Sequence, residues 1–249
     1  MSALALSVLI FLLTLGGILL GALLRHVLPE HHLGKESQEV VRLGVGLVAT
    51  LAALVLGLLI ASAKSSFDTQ STQVTQMTAD FILLDNLLAQ YGPEARPIRQ
   101  QMRSALGAFA DRIWQEKRAS AAGPFQANAS AEQAYLAIQA LSPHNDLQRS
   151  LQARAVQVST NLAQTRLLLF AESENVIPAA FLAILVLWLV IIFASFSLFA
   201  PLNATVLTCL SFFALSASGA IFLVLELSKP FSGLMMISNA PLRHALGPL

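Results

Sequence analysis

The sequence predicts an all-α, polytopic membrane protein, with four transmembrane helices in two hairpins and a helical extramembrane bundle between helices two and three. Three observations lead there. Charged residues make up 12% of the chain against 55% apolar residues, about half the charged share of roughly 25% in a soluble domain. Four runs, Ala3–Leu24, Leu43–Ala63, Ile177–Ala200 and Val206–Leu225, contain no Asp, Glu, Lys or Arg. Between the second and third runs, apolar residues recur among polar ones at the three-and-four spacing of helical faces.

Each charge-free run suffices to cross a bilayer, because a helix rising about 1.5 Å per residue needs about 20 residues for a hydrocarbon core of about 30 Å. Hydrocarbon offers the backbone no hydrogen-bond partner, so these runs are read as helices. The first run has no basic n-region, exceeds the apolar length of about 7–15 residues usual in a signal peptide, and ends in Leu24-Arg25 without a small-residue cleavage site. It is read as a retained anchor.

The expected domains are a first transmembrane hairpin over 1–63, a helical insert over 64–176, a second hairpin over 177–227 and an interfacial C-terminal tail over 228–249. A loop of about 18 residues joins helices one and two, and a tight turn around Pro201 and Asn203 joins helices three and four. An even number of spans puts both termini and the insert on one side. That side carries 12 of 15 basic residues, and among those near the membrane Lys64, Arg166, Lys229 and Arg243 stand against Arg25, Lys35 and Arg42 opposite, a four-to-three balance that leans toward a cytoplasmic insert without deciding it.

Within the insert, Phe67, Val74, Met77, Phe81, Leu84, Leu88 and Tyr91 form one face of a helix continuing from span two. Gly92-Pro93 ends it and opens a second helix with the face Ile98, Met102, Leu106, Phe109 and Ile113. A Gly, Ala and Ser rich loop follows at Ala119–Ala129. Ser130 with Gln133 resembles a capping box for a short helix to Leu141, stopped by Ser142-Pro143. Asn145 can cap the next helix, whose stripe is Leu147, Leu151, Ala155, Val158, Leu162 and Leu169, and Pro178 restarts the chain as span three.

Net charge is +1, so no polybasic surface calls for nucleic acid. Cys209, the single cysteine, can form no intrachain disulfide and is expected to pack as a small hydrophobe. His26, Glu30, His31, His32 and Glu36 cluster in the first loop, but Pro29 breaks the helix that would align metal ligands, so this is read as a solvated loop with no metal site. Glu226 and Lys229 follow helix four, where a charge normally sits at the headgroups and a deeper Glu226 would be a functional candidate, and Phe231, Leu234, Met235, Met236 and Ile237 beyond them lie in the interface or against the bundle, the interface being the favoured reading. His144 and His244 stand in no triad pattern, and there is no phosphate-cradling glycine loop, paired-cysteine signature or HExxH. No catalytic residues and no cofactor are expected, and the reading is not an enzyme.

The stretch with most functional content is helix two. Gly46, Thr50, Ala53, Gly57 and Ala61 recur at helical spacing as a narrow, smooth face, while Leu and Val cover the rest. In lipid such a face serves close helix packing or the lining of a pore. At its exit Lys64, Ser65, Phe67 and Asp68 form a candidate pore mouth, where Lys64 either draws anions or snorkels to mark the interface.

Three segments carry a family resemblance: Pro29-Glu30-His31-His32-Leu33, Val40-Val41-Arg42-Leu43-Gly44-Val45-Gly46-Leu47-Val48-Ala49-Thr50, and Ala61-Ser62-Ala63-Lys64-Ser65-Ser66-Phe67-Asp68. With Leu88 to Glu94 and Pro230-Phe231-Ser232-Gly233, they resemble a bacterial family of bestrophin-like membrane domains without an assured activity. The resemblance implies a homo-oligomeric channel of the bacterial inner membrane whose second spans line the pore, mapping Gly46, Thr50, Ala53, Gly57 and Ala61 onto a pore-facing helix. Helix two lacks the aromatic and proline neck motif of bestrophins, and the C-terminus lacks their acidic calcium clasp, so calcium gating and anion choice do not follow. The expectation is a passive ion channel, with inorganic ions and the lipid bilayer as partners. The competing expectation is a non-conducting membrane scaffold or stress-sensing protein that binds a partner through its insert.

Overall fold

The computed structural model describes residues 2–29, 33–114, 129–173, 179–200, 203–245 and 247. Among them the regular elements are helical: α1 (Ala3–Val27), α2 (Lys35–Tyr91), a 3-10 turn at Pro93–Ala95, α3 (Arg96–Trp114), α4 (Ala129–Gln139), α5 (Asp146–Ser173), α6 (Ala179–Phe199), α7 (Ala204–Leu227) and α8 (Ala240–Ala245). Four of these, α1, α2, α6 and α7, are long and apolar enough to cross a membrane. The chain divides into two compact units, one of Met1–Ser66 with Val176–Ser228 and one of Phe67–Asn175 with Lys229–Leu249.

The first unit is built as lipid requires. On α1 the buried positions are Ala3, Ser7, Ile10, Thr14, Gly17, Ile18 and Gly21, a stripe of mostly small or hydroxylated residues. Leu4, Leu12, Leu19 and Leu23 face outward. Lipid tails are as apolar as leucine, so burying leucine gains little there, and close van der Waals packing of backbones holds helices together instead. A Cβ on Gly21 would meet the backbone oxygen of Ala194 at 2.0 Å, and one on Gly17 would meet that of Val190 at 2.9 Å. Because the paired numbers rise together, α1 and α6 cross in the parallel sense.

The Ser197 hydroxyl donates to the Ile18 carbonyl at 2.7 Å, and the Arg25 guanidinium donates to the Ala200 carbonyl at the same end. Ile18, Phe193, Leu210 and Ala214 close a small core among α1, α6 and α7. The Oδ1 of Asn203 accepts from the Val206 amide at 2.9 Å, capping α7. Pro201, expected beside it in this turn, lies outside the described residues.

The second unit follows the rule for water. Met77, Phe81, Leu84 and Leu88 of α2 are almost fully buried in one core with Met102, Leu106 and Phe109 of α3, Ile138 of α4 and Val158 of α5. Each such side chain contributes about 1.5–3 kcal/mol by leaving water. Gly92 holds φ at 135°, which an L side chain rarely adopts, and so turns the chain from α2 into α3. Asn145 Oδ1 accepts from the Gln148 amide at 2.7 Å to start α5. Gln152 Nε2 donates to the carbonyls of Ile138, Gln139 and Leu141, which closes the end of α4.

Three details depart from the periodicity. Leu147 heads the α5 stripe but is 66% exposed, since it lies in the first turn, ahead of the core. Cys209 is exposed on α7 rather than packed inside. Residues 229–249 belong to the helical unit: Ile237 and Leu242 are buried in its core, Trp114 Nε1 donates to the Ile237 carbonyl at 2.8 Å, and the Phe231 ring meets Trp114 edge-on at 5.3 Å. Leu234, Met235 and Met236 remain exposed. Positions 119–128 of the expected loop and the side chain of Ser130 in the expected capping box lie outside the description.

Candidate functional site

Helix α2 presents three arcs within its apolar stretch. Val45, Ala52, Leu59 and Ala63 are buried. One residue on from Val45 and Ala52, and so about 100° round the helix, run Gly46, Thr50, Ala53, Gly57 and Ala61, all exposed. A further step round stand Leu43, Leu47, Leu54 and Leu58, exposed as well. The small-residue arc therefore lies between a packed stripe and a leucine stripe, and no described residue covers its glycines: a Cβ built on Gly46 or Gly57 meets no atom within 4 Å. The Thr50 hydroxyl donates back to the Gly46 carbonyl at 2.9 Å, which satisfies it within the helix and keeps the surface smooth.

The same line continues beyond both ends of the apolar stretch. Before it come Lys35, Glu39 and Arg42, and after it Lys64 and Asp68, each exposed and each three or four residues from the next. Lys35, Gln38, Glu39, Arg42, Leu43 and Gly46 together line a shallow recess. Of the expected mouth residues, Lys64, Ser65 and Asp68 are exposed, while Phe67 is partly buried against the core of the helical unit. Polar groups thus bracket a strip of small side chains on one helix.

Other candidates end elsewhere. Among the described residues no three His, Cys, Asp or Glu side chains gather as a metal site, and Glu30, His31 and His32 lie outside the description. His26 and Glu36 are exposed. Glu226, expected at the headgroups, is 6% exposed and buried within the membrane unit.

One buried ionic cluster has no local signature in the sequence. Asp85 is 2% exposed and receives Arg99 at 2.7 Å and Arg103 at 3.0 Å. Arg99 engages both carboxylate oxygens, through Nε and Nη2. Arg103 also donates to the Gly247 carbonyl at 3.3 Å. Burial alone would raise the Asp85 pKa, but the hydrogen bonds and charges of the two arginines outweigh it and hold the carboxyl below its ordinary range. This cluster joins α2, α3 and the C-terminal segment, a structural role within the helical unit.

The Bestrophin-like domain model matches residues 10–242, nearly the whole chain. The chain belongs to the bestrophin-like family. Solved structures share the fold of this bestrophin-like protein. A bacterial bestrophin homologue from Klebsiella pneumoniae carrying a point mutation superposes with a TM-score of 0.64 at 15% identity, covering 94% of this chain and 96% of that one. A second membrane protein superposes with a TM-score of 0.67 at 14% identity, over 95% of this chain and 96% of that one. No curated protein matches the sequence. Family membership supports a membrane ion channel kind of function.

Proposed function

We propose that this bestrophin-like protein is a homo-oligomeric ion channel of the bacterial inner membrane, in which the Gly46, Thr50, Ala53, Gly57 and Ala61 face of α2 lines the ion path. The observation that carries the reading is the exposure of that face along the apolar stretch, with polar residues at both ends. Four spans of one chain cannot enclose a hydrated path while α2 keeps this arc open, so the path forms only where several copies bring their α2 helices together. Small side chains leave room for a hydrated ion where leucine would close the lumen. Within the recess that leads to Gly46, Lys35 and Arg42 against Glu39 leave one net positive charge, Glu36 lying outside that lining, which favours anions. Lys64, Ser65, Phe67 and Asp68 form the other mouth in this reading.

Oligomeric state measured in detergent, followed by conductance in planar bilayers, tests the proposal. The expected results are an oligomer, a current with a reversal potential set by the anion gradient, and loss of that current in Gly57→Leu at unchanged oligomeric state. A monomer would overturn the channel. An oligomer without current would instead favour the non-conducting scaffold.

A further inference from the structure

The helical unit encloses, on part of its perimeter, a cavity of about 360 Å3 between α2, α3, α4 and α5. That volume falls at the lower end of the range of about 300–1,000 Å3 typical of small-molecule pockets. Phe81, Met102, Leu106 and Phe109 supply an apolar wall. The rest of the lining includes polar groups: Tyr135 and Glu132 come from α4, and Ser159, Thr160 and Arg166 from α5.

The charges in this lining are unequal in effect. Arg166 is half-buried and its guanidinium lies 5.8 Å from the centroid of the Phe109 ring, a contact that positions the cation at the apolar wall. Glu132 is exposed, so water and salt screen its charge far more. Arg166 is the one cationic side chain among the described residues of the lining. Ser159 lies two turns before Arg166 on the same helix and lines the same cavity.

We propose that this cavity binds a small amphipathic carboxylate, an aryl or short alkyl acid. Its apolar body rests on Phe81, Met102, Leu106 and Phe109, and its anionic head turns toward Arg166, on the helix that also carries Ser159. The site is separate from the α2 face and does not depend on conduction.

The test is fluorine NMR titration of the purified full-length protein in detergent with 4-(4-fluorophenyl)butyrate, after subtraction of the signal from empty micelles. The neutral 4-(4-fluorophenyl)butan-1-ol serves as the matched probe. Saturable binding of the acid is expected, weakened about tenfold or more in Arg166→Gln, as loss of a charge-assisted contact would give. Arg166→Lys should restore most of it, and the alcohol should bind equally to the parent and to Arg166→Gln. Ala105→Phe, which fills the cavity, should abolish binding of both; should that variant not fold, Arg166→Gln carries the decision. Absence of saturable binding to the parent, or equal binding of the acid to the parent and to Arg166→Gln, would overturn the proposal.

Discussion

Two faces of small residues run through the membrane unit, and the structure treats them in opposite ways. On α1, Gly17 and Gly21 lie hard against the backbone of α6, with no room for a methyl group. On α2, Gly46 and Gly57 look out on open space. Both faces satisfy the rule that small residues in lipid permit close approach, yet only one is used within the chain. The difference separates a glycine face that holds the fold from one left for another purpose, and it directs functional interest to α2.

Substitutions can break or sharpen this contrast. The largest effect is expected from Gly21→Leu, because the obstacle is backbone rather than a movable side chain. That variant should yield no monodisperse protein on size-exclusion chromatography, whereas Gly57→Leu should elute as the parent does.

Next is Asp85→Ala, a control in the helical unit that touches neither glycine face. Removing one partner of a buried ion pair typically destabilises by about 3–5 kcal/mol. The arginines here are about a quarter exposed, so the expected loss is near the lower end of that range, about 3 kcal/mol, read by chemical denaturation of the helical unit. Because the folded-state pKa of Asp85 is depressed, its contribution is present above its unfolded pKa of about 3.9 and fades as pH falls through the lower, folded value. The Asp85→Ala variant should therefore show a flatter acid limb in stability against pH.

Ser197→Ala removes the hydroxyl that α6 donates to Ile18 of α1 and should destabilise the membrane unit by about 0.6–1.7 kcal/mol, the range for interhelical hydrogen bonds in lipid. Gly16→Ala should change thermal stability least, by under about 1 kcal/mol and in the stabilising direction. Gly16 neighbours Gly17 in sequence, yet a Cβ there meets nothing within 4 Å.

How much of this is legible in the sequence follows from where the information lies. Burial in a helix repeats every three to four residues, so Met77, Phe81, Leu84 and Leu88, and likewise Ile98, Met102, Leu106 and Phe109, announce their core face in the chain itself. The four spans are legible for the same reason, since absence of charge over about 20 residues is a local property. The α1 contact has a local sign that the periodicity argument does not use, the Gly17-x-x-x-Gly21 spacing. The Asp85 cluster has none, because Arg99 and Arg103 lie 14 and 18 residues away on another helix. The docking of Ile237 onto Trp114 likewise spans 123 residues, and apolar residues such as Phe231 and Leu242 suit a membrane interface and a protein core equally well. On α2 the small-residue face is visible as a pattern, but whether such a face is covered depends on neighbours that no periodicity encodes.

The central claim is that the small-residue arc of α2 meets water while the leucine arc meets lipid. Single cysteines introduced at Thr50, Ala53 and Gly57, and at Leu47, Leu54 and Leu58, in a Cys209→Ala background test it directly through their rates of modification by a charged, membrane-impermeant methanethiosulfonate. The account predicts rapid modification at the first three positions and little at the second three. Equal rates at both sets, or faster modification of the leucine positions, would contradict it.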